Sequence, residues 1–426
     1  MLLVFGALLM GYFYFNMGPQ NTSRYTGPRK VVIEKKNGKY SLYKDGKPFL
    51  VKGGSGVDHI KELSESGGNT IMCWDTSKLK SVFREAEKYH LNVIIGLHIP
   101  FSYSFYRNKK NLADLYNASI SIVTRYKDNP HMLAWCLGNE MALPFSFTPG
   151  PFYGTYNKIL DRIHVIDPDH PVCTSILNVG RSQMMRLKWR FPALDFYSIN
   201  IYNSLKIMKN HLERAKWLWD GPFIIGEWAP QGGWEAPLTA WKAPIEYSST
   251  TKAQHFYEFY TNYMPVEDPG FMGSMVFYWG NRQEYTQSWF SIFDKNGDPN
   301  EIKEVLNDCW KDTSTLHLSP RIKSMLIDNM GGKDNIIVTS ESTHHAVLQM
   351  KPSKFSDTLR YKWEMYKEDW YYPKGPPSEV GLFADSTLPV TDFRAPQKEG
   401  PYRVFITVYN SKGYFATANI PIYVVR

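Results

Sequence analysis

From about residue 50 the chain alternates between short unbroken apolar runs and segments whose apolar residues recur every three or four positions. The runs are Phe49–Lys52, Asn69–Trp74, Asn92–Leu97, Met132–Leu137, Pro171–Ile176, Leu194–Ile199, Phe223–Ile225 and Gly273–Tyr278. Strands without polar alternation are buried on both faces, as strands of parallel sheets are. The segments between them read as helices. Val57, Ile60 and Leu63 share one face of a turn-ended segment that closes on Gly67-Gly68, a helix stop. Thr76–His90 repeats the pattern with Leu79, Val82, Phe83 and Ala86. Further helices are predicted near 111–128, 151–166, 204–219, 250–264 and 300–312. Eight strand–helix units over about 260 residues have the size and rhythm of a (β/α)8 TIM barrel, an α/β fold. A doubly wound open sheet is less favoured, because no GxGxxG follows the first run, which leads into Lys52-Gly53-Gly54-Ser55-Gly56.

After about residue 313 the rhythm changes. Asn335–Ser340, Ala346–Met350, Leu359–Tyr366, Pro401–Tyr409 and Tyr414–Val425 read as strands with turn residues between them, and no long helical pattern interrupts them. A small all-β immunoglobulin-like sandwich of about 110 residues fits this stretch. The division expected is therefore an apolar leader over 1–17, a linker with N-terminal strands over 18–44, a barrel over 45–313 and a sandwich over 314–426. Rings among Trp363, Trp370, Tyr371 and Tyr372 either bind carbohydrate or pack the sandwich; packing is the commoner use.

Composition narrows the class. Hydrophobic residues at 43% and charged residues at 21% suit a packed globular chain and exclude wholesale disorder. Aromatic residues reach 15%, more than a core needs, so some rings are expected at a ligand surface. The net charge of +8 raises nucleic acid as a partner, but the basic residues are scattered and no nucleic-acid motif is present, so none is expected. Cys73, Cys136, Cys173 and Cys309 form no CxxC pair and read as buried free thiols. No metal motif occurs, and no cofactor is expected. Met1–Met17 is apolar and uncharged, of marginal length for a membrane span and nearer a signal core. Its basic residues follow rather than precede it. Taken literally, the positive-inside rule would keep the body cytoplasmic. The reading preferred is an uncleaved anchor or signal feeding an extracytoplasmic protein.

Chemistry in a barrel sits at the C-terminal ends of its strands. Two of those ends carry a carboxylate directly after an apolar strand: Trp135-Cys136-Leu137-Gly138-Asn139-Glu140 and Ile225-Gly226-Glu227-Trp228. A lone charge there is costly without a task. Placed three strands apart, the two can face one another across the barrel mouth. A facing pair suits glycosidic cleavage, one acid protonating the leaving oxygen and one carboxylate attacking the anomeric carbon.

These motifs resemble the acid/base and nucleophile segments of clan A glycoside hydrolases, with the catalytic barrel of family 2 the nearest in character. The resemblance covers roughly residues 45–310 and is supported by Asp195–Tyr202 (DFYSINIY), Met275–Gly280 (MVFYWG) and Gln287–Pro299. It implies a retaining double displacement with Glu140 as acid/base and Glu227 as nucleophile. It also implies that Asn139 holds the substrate 2-hydroxyl, that Tyr202 orients Glu227, and that Trp279 floors the subsite at the cleaved sugar. The chain departs from the clan at the end of its second strand, where Met72-Cys73-Trp74-Asp75 stands in place of a segment with an arginine. His98, Trp74, Asp75, Trp228, Trp234 and Asn281 are further candidates to line sugar subsites, with Gln231, Arg282, Glu284 and Trp289 beside them. The same two glutamates would serve a transglycosylase, and a degenerate barrel would serve as a carbohydrate-binding protein without catalysis.

Overall fold

The computed structural model describes residues 29–102, 104–141, 143, 150–352, 358–368 and 378–426. The apolar leader and the rings Trp370, Tyr371 and Tyr372 lie outside the described residues. Packing divides the chain into two units: the chain up to Ser64 with Gly68–Trp228 and Tyr263–Phe277, and Glu65–Gly67 with Ala229–Asn262 and Tyr278–Arg426. The second unit thus takes the segments after the last two barrel strands as well as the sandwich. No described helix is long and apolar enough to cross a membrane.

The first unit opens with an antiparallel three-stranded sheet, β1 (Val31–Lys36), β2 (Lys39–Lys44) and β3 (Lys47–Phe49). The barrel follows: β4 (Val51–Ser55), β5 (Thr70–Cys73), β6 (Asn92–Leu97), β7 (Met132–Leu137), β8 (Val172–Leu177), β9 (Phe196–Ile201), β10 (Phe223–Trp228) and β11 (Phe271–Val276). These eight strands close into one parallel barrel, neighbours in chain order and β11 beside β4. All eight apolar runs are strands. β4 and β10 each run three residues past their predicted ends, Lys52 and Ile225; in β10 a register break lets the strand continue through Gly226. The helix Arg181–Arg190 escaped the pattern: it buries only Met184, Leu187 and Arg190 in a strongly basic segment, so its apolar spacing is faint.

Val51, Met72, Ile94, Ala134, Cys136, Cys173, Phe196, Ile224 and Met275 form one buried cluster with Val31 and Leu42 of the N-terminal sheet. That sheet closes one end of the barrel. Its hydrogen bonds identify which end: Val31 N–H donates to Asp169 O (3.0 Å) and Tyr40 N–H to Pro269 O (2.7 Å), while Lys44 Nζ reaches Pro130 O (2.7 Å). Those three acceptors immediately precede β8, β11 and β7, so the sheet caps the N-terminal ends of the barrel strands.

In the second unit, β12 (Ile322–Ile327), β14 (Thr343–Met350) and β17 (Val390–Arg394) form one sheet. β13 (Ile337–Thr339), β19 (Phe415–Val425), β18 (Gly400–Tyr409), β15 (Arg360–Lys367) and β16 (Ser378–Glu379) form the other. The strands β12, β16 and β17 were not predicted; polar or exposed residues interrupt each of them, so no apolar run marks it. Trp363 is in the sandwich core, 2% exposed, with its indole N–H donated to Leu388 O (2.8 Å). This ring packs the sandwich rather than offering a binding face. Cys73, Cys136 and Cys173 are buried free thiols; Cys309, on the helix Glu301–Lys311, is half-buried.

That helix is tied to the segment entering the sandwich by His317, whose two ring nitrogens meet Glu301 (3.3 Å) and Asp308 (3.1 Å). The bond to Glu301 foremost, then Asp308 and the charge of Glu304, outweigh burial and raise the imidazole to about 8. A raised histidine stabilises the fold fully below its unfolded value of about 6.5, and the support is lost as pH rises through the folded value. The gap in urea midpoint between the parent protein and His317→Gln is expected to be widest near about pH 6 and to narrow by about pH 9.

Candidate active site

Glu140 is presented by a reversed turn. β7 is buried along its whole length and ends at Leu137. Gly138 follows with φ +82°, a conformation open to glycine. Glu140 itself has φ +46°, which costs a non-glycine residue on the order of 1 kcal/mol or more and persists only where surrounding bonds enforce it. They do so here: Gly138 N–H donates to Leu97 O (2.9 Å), Ser175 N–H to Gly138 O (3.2 Å) and Glu140 N–H to Ser175 O (2.9 Å). The turn is thereby stitched to the strands on both sides. The Glu140 carboxylate receives the Asn200 side-chain N–H at 2.8 Å. Ser175 Oγ–H donates to Asn200 Oδ1 (2.9 Å), which fixes the amide with its NH2 toward Glu140. Asn139 Oδ1 accepts from the same nitrogen at 3.3 Å.

Glu227 is inside β10, not after it. The pairing of β10 with β9 shifts register between Ile225 and Glu227, so that Glu227 pairs with Asn200. A bulge of this kind re-aims one side chain without ending the strand. Gly226 makes it possible. A Cβ there would lie 1.9 Å from Ser198 Oγ and 3.1 Å from Asn200 Oδ1, so only a residue lacking one lets β10 sit against these groups. Glu227 is 7% exposed and accepts the Tyr202 hydroxyl at 3.2 Å. Asn200 and Tyr202 are two residues apart at the end of β9. One strand end therefore supplies a donor to each carboxylate, which brings Glu140 and Glu227 to the same end of the barrel, opposite the N-terminal sheet.

The other predicted residues divide. Trp74 is half-buried after β5, and the benzo edge of its indole lies where a Cβ on Gly96 would be, 2.0 Å from that position. Its indole N–H is buried without a hydrogen-bond partner. Asp75 caps the short turn Thr76–Lys78, accepting Ser77 N–H (3.0 Å) and O–H (2.6 Å), bonds that hold its carboxyl below the usual range. His98 is exposed after β6. Trp228 and Trp279 were expected to line sugar subsites, but both are 0% exposed. Trp279 packs against Phe293 and Trp310 at centroid distances of 5.4 and 5.7 Å. Neither presents an open ring face; apolar burial claimed both indoles. Within the second unit Trp234 is 49% exposed, Asn281 is tied to Phe293 O (3.0 Å), Trp289 donates to Gln231 O (3.1 Å), and Arg282 pairs with Glu284 (2.6 Å). Sequence reasoning missed Asn200 and Ser175. For Asn200 the signal was the polar alternation Ser198, Asn200, Tyr202 along and just past an otherwise apolar strand, which marks one face as facing something other than core.

No protein-family model matches the chain, and neither does any curated protein. Solved structures do resemble it. A family 2 β-galacturonidase from Eisenbergiella tayi, bound to galacturonate, superposes with a TM-score of 0.52 at 16% identity, over 68% of this chain and 55% of that one. A β-glucuronidase from Bifidobacterium dentium, in complex with coumarin-3-O-glucuronide, gives 0.51 at 15% identity, over 66% of this chain and 49% of that one. The chain spans about half the length of these two proteins. What these likenesses show is the fold, a closed eight-stranded parallel barrel followed along the chain by a β-sandwich.

Proposed function

We propose that the protein is a retaining glycoside hydrolase that cleaves O-glycosidic bonds of a poly- or oligosaccharide outside the cytoplasm. The observation that carries this reading is the pair of carboxylates gripped from one strand end, Glu140 by Asn200 and Glu227 by Tyr202. In the first step Glu227 attacks the anomeric carbon while protonated Glu140 gives its proton to the departing oxygen. The glycosidic C–O bond breaks and a glycosyl ester forms on Glu227. In the second step Glu140, now ionised, takes a proton from water as that water displaces Glu227 from the sugar. The two donors suit these roles. A hydroxyl donated to Glu227 favours its charged form. The Asn200 amide donated to Glu140 Oε1 holds that carboxyl group in place for its proton transfers.

The test is a panel of aryl glycosides and polysaccharides, with the anomer first released followed by proton NMR. Retention of configuration is expected. Inversion would overturn the double displacement, and release of elongated products in the presence of acceptor sugar would identify a transglycosylase. Turnover of nothing in the panel by a protein that binds sugars would favour a carbohydrate-binding barrel.

The unpaired Trp74 N–H gives a second test. A buried donor without a partner costs about 1–3 kcal/mol, a cost recovered when a substrate oxygen accepts from it. Trp74→Phe keeps the aromatic fill over Gly96 and removes the donor. It is expected to lower kcat/KM about 10-fold, a single hydrogen bond's worth, with no loss in melting temperature.

A further inference from the structure

The N-terminal sheet does more than close the barrel. Between Arg29 and Phe49 the chain has Arg29 and six lysines against two acidic residues, Glu34 and Asp45. This short stretch accounts for most of the chain's net charge of +8. Two of its lysines are partly neutralised by the barrel: Lys30 meets Asp169 (3.2 Å) and Lys35 meets Asp220 (3.4 Å). Lys36 pairs only within the sheet, with Glu34, and Lys39 and Lys47 are exposed. Exposed ion pairs of this kind are worth little and exchange readily for other anions. Two half-buried tyrosines stand among the lysines, Tyr40 under Lys35 Nζ (4.8 Å) and Tyr43 under Lys36 Nζ (4.9 Å). Lysine stems beside tyrosine rings are the composition of surfaces that settle at a bilayer interface.

The position of this sheet gives the charge a meaning. It caps the N-terminal ends of the barrel strands through Asp169, Pro269 and Pro130, whereas Glu140 and Glu227 are at the C-terminal ends. The chain leading into it comprises Met1–Met17, apolar and uncharged, and eleven further residues before Arg29. A tether of that length cannot carry the sheet far from wherever the apolar segment resides. By register Lys36 and Lys39 are on the outer face of the β1–β3 sheet, while Lys35 and Lys47 share the face of Val31 and Leu42 yet remain exposed. We propose that these four exposed lysines dock the sheet on the headgroups of an anionic phospholipid bilayer, and that this holds the barrel with its carboxylate end facing away from the membrane. Each lysine close to such a surface contributes roughly 1 kcal/mol, and the attraction fades within a Debye length.

The experiment is vesicle flotation of the full chain on pure phosphatidylcholine and on phosphatidylcholine with about 30 mol% phosphatidylglycerol, at about 50 and about 500 mM NaCl. The apolar segment can bind both vesicle types, so the readout is the ratio between them. The ratio is expected to be about 10-fold or more at low salt, to collapse at high salt, and to be lost in the fourfold variant Lys35→Gln, Lys36→Gln, Lys39→Gln, Lys47→Gln. Circular dichroism and melting of that variant should match the parent, since all four side chains are at the surface. Equal binding to both vesicles, or a ratio the fourfold variant retains, would overturn the proposal. So would a soluble polyanion such as heparin binding the sheet while anionic vesicles fail to compete for it.

Discussion

Glu227→Ala is expected to reduce turnover by about 10³-fold or more, since it removes the attacking group itself. Glu140→Gln is expected to do the same on substrates with poor leaving groups, where protonation of the departing oxygen is needed; general acid–base assistance is worth roughly 10²–10⁴-fold. The two variants separate by leaving group. With an activated aryl glycoside, Glu140→Gln keeps much of its first step and stalls at the second. Glu227→Ala gains nothing from activation but should recover with added azide, which enters the space of the missing carboxylate and gives a glycosyl azide of inverted configuration. Steady-state and burst kinetics on both substrate types check this, with sugar binding by calorimetry as the control for folding. Full activity in either variant would end the assignment of these two residues.

Arg403→Met is expected to destabilise the second unit by about 3–5 kcal/mol, the usual cost of stranding one partner of a buried ion pair. Arg403 is 2% exposed. Its guanidinium donates to Glu368 (2.7–3.0 Å), to Asn419 Oδ1 (2.6 Å) and to Pro244 O (2.7 Å). The Glu368 side chain is 4% exposed, so the single variant leaves a buried carboxylate without its cation. Adding Glu368→Gln removes that charge, and the double variant should regain most of the loss. Urea unfolding of the two variants and the parent measures both effects. A loss near zero in the single variant would mean that water replaces the guanidinium freely.

The barrel strands were legible because burial on both faces leaves a mostly apolar run, as at Met132–Leu137. Helices were legible where one face is apolar, as at Leu79, Val82, Phe83 and Ala86. They were illegible where packing buries few residues, as at Arg181–Arg190. The three unpredicted sandwich strands failed for the same reason, since a half-exposed strand need not be apolar. The carboxylates could be read because a charge after a buried strand is conspicuous. Tyr202, the partner of Glu227, came with the resemblance; Asn200 and Ser175 were missed, because they gain their roles from strands apart in sequence that closure of the barrel makes neighbours.

The tryptophans mark the same boundary. Sequence alone cannot tell an indole that floors a ligand site from one that fills a core, and Trp228 and Trp279 proved fully buried while Trp234 is half-exposed. By itself, then, the sequence determined the eight strands, the β-rich ending and the two glutamates that stand at strand ends, since each is written in local hydrophobicity and charge. Tertiary structure alone decided three things. It placed Glu227 within its strand, because Gly226 lets β10 bulge against Ser198. It set Glu140 in a left-handed turn, because β6 and β8 bond that turn from either side. It put a basic sheet at the end of the barrel away from both, because Val31 and Leu42 complete a core that the barrel strands leave open there.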